Sequence, residues 1–231
     1  MCIRDRSNAE EKEIDIFFAK KFIISQLIDE IFPAWYGTKW AFEGTTEIPG
    51  EGEIACGYFV STVLRDAGFK LDRFKFGKMG PEDLVRSLSK KEDIIIITRE
   101  EIEDIINTEP LPRNGLFYFI MKKKVEGIIF EFDEELIQKK RIKVICNELK
   151  SRGEGIYLFG LIDRTLGHVG FIVNDEEQIR LVHSSYSSPK YVISEKLESS
   201  NEIHGYPVII IGKLFSDEMI EKWILNREIS E

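Results

Sequence analysis

The second half of the chain constrains the fold most. From Gly155 onward, four segments rich in β-branched and aromatic residues follow one another: Ile156–Ile162, His168–Asn174, Ile179–His183 and Val208–Phe215. Turn signals such as Asn174-Asp175 separate them, so they read as successive antiparallel strands. Ahead of Gly155 the pattern is helical. Apolar residues recur at helical spacing from Glu10 to Ile31, where Pro33 is expected to close the helix. A second helix is expected over Ile54–Ala67. Its stripe is Cys56, Phe59, Val60, Val63, Leu64 and Ala67, and Gly68 supplies the stop. Helices followed by a run of antiparallel strands predict an α+β domain.

Between these halves, residues 69 to 150 are charged and read as mostly helical, with a helix near Glu134–Ser151. Phe117–Met121 and Gly127–Phe132 fit short strands or helical turns equally well. Trp35 to Gly52, rich in Gly, Thr and Pro, reads as a long ordered loop. A closing helix over Asp217–Leu225 is capped by Ser216.

At 231 residues and 43% apolar composition the chain can bury a core, which excludes bulk disorder. The longest apolar runs, Ile94 to Ile97 and Val208 to Ile211, fall far short of a membrane helix, so no transmembrane segment is expected. The net charge of −9 makes nucleic acid an unattractive partner. The one basic cluster, Lys139-Lys140-Arg141 with Lys143, reads as a solvated helix face. Residues 1–6, Met-Cys-Ile-Arg-Asp-Arg, match the translation of a transposon-based sequencing adapter and are set apart as a suspected artefact. The natural start, and any signal peptide with it, is then open.

Three cysteines without a Cys-x-x-Cys pair exclude a disulfide framework. Cys146 falls among apolar helix positions and reads as core. Cys56 stands at the start of its helix, where unpaired backbone N–H groups and the helix dipole lower a thiol pKa from about 8.5. Gly57 beside it leaves the backbone near the sulfur uncluttered. Of the three histidines, His168 opens one predicted strand and His183 ends the next. A hairpin through Asn174-Asp175 brings both to one end of the sheet. A base oriented by a second polar group is what thiol activation requires. The same three side chains could instead ligate zinc with an open fourth position. His204 has no such partner, and Tyr186, Ser184 and Ser185 read as a polar turn.

These residues carry a resemblance. Gly37-Thr38-Lys39-Trp40-Ala41-Phe42-Glu43-Gly44, then Ala55-Cys56-Gly57-Tyr58-Phe59-Val60 and Ala67-Gly68-Phe69, are similar to the first block of the NlpC/P60 cysteine-hydrolase domain, a papain-like family. His168-Val169-Gly170-Phe171-Ile172 with Val182-His183 resembles its second block. The resemblance implies one such domain over 9–231, with 69–155 as an inserted helical region between the cysteine helix and the core sheet. It implies Cys56 as nucleophile, His168 as base and His183 as the orienting third member of a triad. The oxyanion would be held by the Cys56 backbone N–H and by Trp40, which stands where the family has a tyrosine. The implied activity is hydrolysis of a peptide or related amide through an acyl-enzyme, on peptide or peptidoglycan-fragment substrates, with no cofactor, in the periplasm or cell envelope or after secretion. Transfer to another acceptor would use the same thioester. Two departures bear on substrate. Ala55 replaces the family's amine-recognising Asp, and Gly57 replaces its Ser; the lost Asp and the substituted oxyanion donor at Trp40 favour the alternative, a binding module for a glycopeptide or protein that has lost the chemistry. The oligomeric state is open.

Overall fold

The computed structural model describes residues 3–108, 134–163, 167–175, 177–187 and 189–229. The helical start runs α1 (Ile3–Gln26), a π-helical turn at Leu27–Ile31 and α2 (Phe32–Trp35). Pro33 does not close this helix as expected. It stands at the start of α2, directly after the wide π turn, where its missing N–H interrupts no regular ladder. The chain leaves the helix only at Tyr36, whose ψ is 134°. The loop that follows is ordered by isolated bridges, Lys39 to Glu53 and to Tyr191, and Thr45 to Ile54.

α3 spans Cys56–Asp66, with Ala55 as its N-cap residue. It stops at Gly68, which adopts φ +89° and donates its N–H to the Arg65 carbonyl. Next come α4 (Arg73–Gly77), α5 (Pro81–Leu88), β1 (Ile94–Thr98), α6 (Arg99–Thr108) and α7 (Glu134–Arg152). The sheet strands β2 (Gly155–Ile162), β3 (Gly167–Asn174), β4 (Ile179–Ser184), β5 (Val192–Lys196) and β6 (Val208–Lys213) precede α8 (Asp217–Ile224). Ser216 Oγ accepts the Met219 N–H and caps α8.

The fold is α+β: the described residues form one six-stranded antiparallel sheet in the order β1-β6-β2-β3-β4-β5, with helices on both faces. The β3–β4 hairpin turns at Asn174-Asp175 as expected, with Asn174 paired to Ile179. Two edge strands depart from the expectation. The isoleucine run 94–97, inside the region read as helical, pairs with β6 as β1. A row of β-branched side chains packs better on a pleated surface than on a helix. β5 carries Ser194, Glu195 and Lys196 and shows no apolar alternation, because only part of this edge is covered.

Alternation along the strands divides the core. Leu158, Val169, Phe171, Val182 and Ile210 pack with α1, α3 and α5 on one face. Tyr157, Phe159, Leu161, Leu181, Ile209 and Ile211 pack with α6 and α7 on the other. The 69–155 stretch therefore builds into the fold: it supplies an edge strand and helices on both sheet faces. Phe117–Met121 and Gly127–Phe132 lie outside the described residues. Arg141 corrects the reading of a solvated basic face. It is 2% exposed, and its Nη1 donates to the Ile203 carbonyl at 3.2 Å. Cys146 is buried, as expected. Among the described residues, no helix is long and apolar enough to cross a membrane.

Candidate active site

The register of β3 on β4 sets the histidine geometry. Phe171 pairs with Val182, so one step further along the register Gly170 lies opposite His183 on the other face of the sheet, with His168, on that same face, diagonal to it. Gly170 keeps that space open: a Cβ there would fall 2.6 Å from His183 Cβ and 2.7 Å from Phe159 Cε1. His168 Nε2 thus comes to 2.9 Å from His183 Nδ1, with both rings essentially buried. The other nitrogen of His183, Nε2, lies 3.3 Å from Glu195 Oε1. That same oxygen accepts the Ser200 hydroxyl at 2.5 Å.

This chain fixes the tautomers. Burial raises the Glu195 carboxyl, but the hydrogen bonds from His183 and Ser200 outweigh it and hold the group below the usual carboxylate range. An ionised carboxylate only accepts, so His183 carries its proton on Nε2 and presents a lone pair at Nδ1. His168 then donates from Nε2, and its Nδ1 is left as an acceptor. Burial, with the His183 ring beside it, pushes His168 well below the usual imidazole range, so the ring is neutral.

Cys56 is the first residue of α3, and its segment is pinned next to the histidines: Ser184 Oγ donates to the Ile54 carbonyl at 2.7 Å. Cys56 keeps partial exposure, although its sulfur is deeply packed. The thiol lies within reach of the Val169 backbone N–H, one residue from His168, and of the Gly57 and Cys56 N–H groups. Those donors lower its pKa as expected of a helix start. Burial outweighs them, and with the Glu202 charge adding to it the thiol is raised rather than lowered. The resting pair is therefore a thiol and a neutral imidazole.

Gly57 also serves the packing of α3. A Cβ on it would lie 2.4 Å from the Gly77 carbonyl oxygen, so this glycine admits α4 against α3; toward the sulfur it offers only its N–H. Trp40 borders the site through Tyr186: their ring centroids are 6.3 Å apart, and Tyr186 lies edge-on to His168 at 5.5 Å. The Tyr206 hydroxyl donates to Tyr186 Oη at 3.0 Å, and burial raises the Tyr206 pKa. His204 is exposed and takes no part.

Sequence reading passed over two carboxylates. Glu195 is the far end of the histidine chain. Glu202 is 4% exposed; its Oε1 accepts the Ser185 hydroxyl at 2.5 Å, while Oε2 is buried with no hydrogen-bond partner. Only the crowding of Ser and Glu over 194–202 hinted at them. Cys56 does not join the histidines as a metal-ligand group; among the described residues Glu202 does, with one donor atom each from His168, His183 and Glu202 within 4.8 Å of one another. A separate cavity of about 400 Å³, lined by Cys146, Lys150, Asn174 and Ile179, lies at the turn end of the β3–β4 hairpin, away from the site.

No family model, curated protein or solved structure matches this chain.

Proposed function

We propose that the chain is a thiol hydrolase of a peptide or related amide bond, built on a divergent papain-like core of the NlpC/P60 kind. The observation that carries this reading is the hydrogen-bonded run His168–His183–Glu195, which leaves His168 Nδ1 as an acceptor, with the Cys56 thiol within reach of the backbone N–H of the next residue, Val169. In this reading Cys56 Sγ attacks the carbonyl carbon as its proton passes to His168 Nδ1. The imidazolium is stabilised through His183 to the Glu195 carboxylate, the orienting role of a triad's third member extended by one group. Collapse of the tetrahedral intermediate breaks the C–N bond, and His168 returns the proton to the leaving amine. Water, deprotonated by His168, then cleaves the thioester to release the acid and the thiol; an amine acceptor in its place would make the reaction a transfer. The Cys56 N–H serves the oxyanion, with Trp40 at the rim as the candidate second donor. Peptides, including cell-wall fragments, are the substrate class to screen. Ala55 leaves the amine-recognising position of the family without its carboxylate.

A second reading, a binding module on the same fold, is favoured by one observation. The raised thiol and lowered imidazole oppose a standing thiolate–imidazolium pair. Iodoacetamide labelling of Cys56, followed by mass spectrometry in wild type and His168→Ala, separates the two. Labelling of the folded protein that drops at least about tenfold in the variant supports the hydrolase. Equal labelling in both proteins, or labelling only after unfolding, leaves the binding module in its place.

A further inference from the structure

Glu202 is the feature that the thiol chemistry does not use. Its Oε2 is buried and unpartnered, and its carboxylate brings one oxygen within 4.8 Å of a ring nitrogen of each of the two histidines. A buried carboxylate oxygen without a donor is costly and calls for a cation. We propose that His168, His183 and Glu202 form a site for a divalent transition-metal ion of the zinc type, and that the bound ion switches the thiol off.

The donor set fits such an ion. Two imidazole nitrogens and one carboxylate oxygen suit zinc better than magnesium or calcium, which take oxygen ligands. Two of the three ligands already have the outer partners that metal ligands need. Glu195 receives His183 Nε2–H, which fixes His183 Nδ1 as the free lone pair, and Ser185 holds Glu202 Oε1, which leaves Oε2 to coordinate. The 200–203 segment that carries Glu202 is itself anchored on α7, by Gln138 Nε2 to the Ser200 carbonyl and Arg141 Nη1 to the Ile203 carbonyl. The ion would take the place of the hydrogen bond between His168 Nε2 and His183 Nδ1. Zinc–nitrogen bonds of about 2.0–2.1 Å place tetrahedral ligands about 3.3 Å apart, so the two rings part by only a few tenths of an ångström.

The switch follows from the tautomer. Coordination through His168 Nε2 requires a lone pair there, so the ring proton moves to Nδ1 and the imidazole stays neutral. No proton is lost overall. Nδ1–H can no longer accept the Cys56 proton, and the thiol loses its base without coordinating the ion. The metal site itself stands apart from the hydrolase reading; the inhibition rests on it.

The test is titration of the full chain, untagged and stripped with EDTA, with Zn²⁺ by calorimetry. One equivalent is expected to bind wild type and Cys56→Ser alike, and Glu202→Gln to bind at least about tenfold more weakly. Circular dichroism checks the fold of the variant. If Glu202→Gln does not fold, the Co²⁺ spectrum of wild type decides instead: tetrahedral d–d bands without a thiolate-to-cobalt charge-transfer band support the site. No binding to wild type, unchanged binding in Glu202→Gln, or loss of binding in Cys56→Ser with a thiolate band overturns it. Iodoacetamide labelling of wild-type Cys56 should slow on adding one equivalent of Zn²⁺ and recover with EDTA. Labelling that is unaffected by bound Zn²⁺ overturns the switch. The hydrolase reading fails separately, in metal-free protein, if His168→Ala labels like wild type.

Discussion

His168 Nε2 and His183 Nδ1 face each other at 2.9 Å across the open end of the β3–β4 hairpin, and Glu195 closes the chain 3.3 Å beyond. Removing the carboxylate frees His183 to take the other tautomer, with its proton on Nδ1 and no lone pair for His168. Glu195→Ala is therefore expected to slow His168-assisted labelling of Cys56 by about 10²-fold or more, in the manner of a triad that has lost its orienting acid. Because Glu195 acts through His183, the acid limb of the rate profile should also move. A uniform loss at every pH would mean that the residue only supports the fold.

Gly170 is a steric condition for that pair. An alanine methyl would meet His183 Cβ at 2.6 Å and Phe159 Cε1 at 2.7 Å, between strands that cannot separate without breaking β2–β3 pairing. Gly170→Ala is expected to cost about 1–3 kcal/mol by overpacking, read as a lowered Tm, and to slow Cys56 labelling in the protein that remains folded. Wild-type Tm and labelling would show that the strand end yields freely.

Gly57 tests the placement of α3 instead. Alanine inside a helix ordinarily gains up to about 1 kcal/mol over glycine. Here its Cβ would sit 2.4 Å from the Gly77 backbone oxygen, and a backbone carbonyl cannot rotate away as a side chain does. Gly57→Ala is expected to destabilise the protein by about 1–3 kcal/mol in urea unfolding. A net stabilisation would show that α4 moves off α3 at little cost.

The pH dependence follows from two opposed displacements. Burial, with the His183 ring beside it, lowers the His168 pKa, so its acid limb falls below the ordinary imidazole value of about 6.5 and the base is available through neutral pH. Burial raises the Cys56 thiol, so spontaneous thiolate formation begins above the ordinary value of about 8.5. Wild-type labelling should then show an assisted plateau across neutral pH and a second, alkaline rise. His168→Ala should keep only the alkaline rise. A wild-type profile with one ordinary thiol titration would contradict both displacements.

What could be read from the sequence tracks how local each determinant is. The hairpin through Asn174-Asp175, and with it the shared end for His168 and His183, is written in alternation and turn chemistry within twenty residues. Cys56 at a helix start is equally local, as is the Gly68 stop. The edge strands were hidden for opposite reasons. Ile94–Ile97 is a short all-isoleucine run between helical segments, whose alternating burial its sequence does not show, and Ser194–Lys196 carries no apolar signal, because β5 is an edge. Glu195 and Glu202 act through partners from other segments: His183 for the first, Ser185 for the second. No spacing rule connects them to Cys56. The thiol's raised pKa is likewise a property of packing around the sulfur and not of the helix start alone.

Arg141 shows the same limit and allows a clean separation of volume from charge. The residue was read as part of a solvated basic face, yet it is 2% exposed; its Nε has no partner and its Nη1 holds the Ile203 carbonyl. A buried charge so incompletely paired contributes little net stability, and replacing it with an apolar side chain of similar length is often neutral. Arg141→Met should therefore stay within about 1.5 kcal/mol of wild type in urea unfolding. Arg141→Ala leaves a void between α7 and the 200–203 segment and should cost about 2–4 kcal/mol. If both variants fall equally far, the guanidinium and its bond to Ile203 hold the segment. If only alanine does, Arg141 serves as a filler, and the position of Glu202 depends on packing against α7.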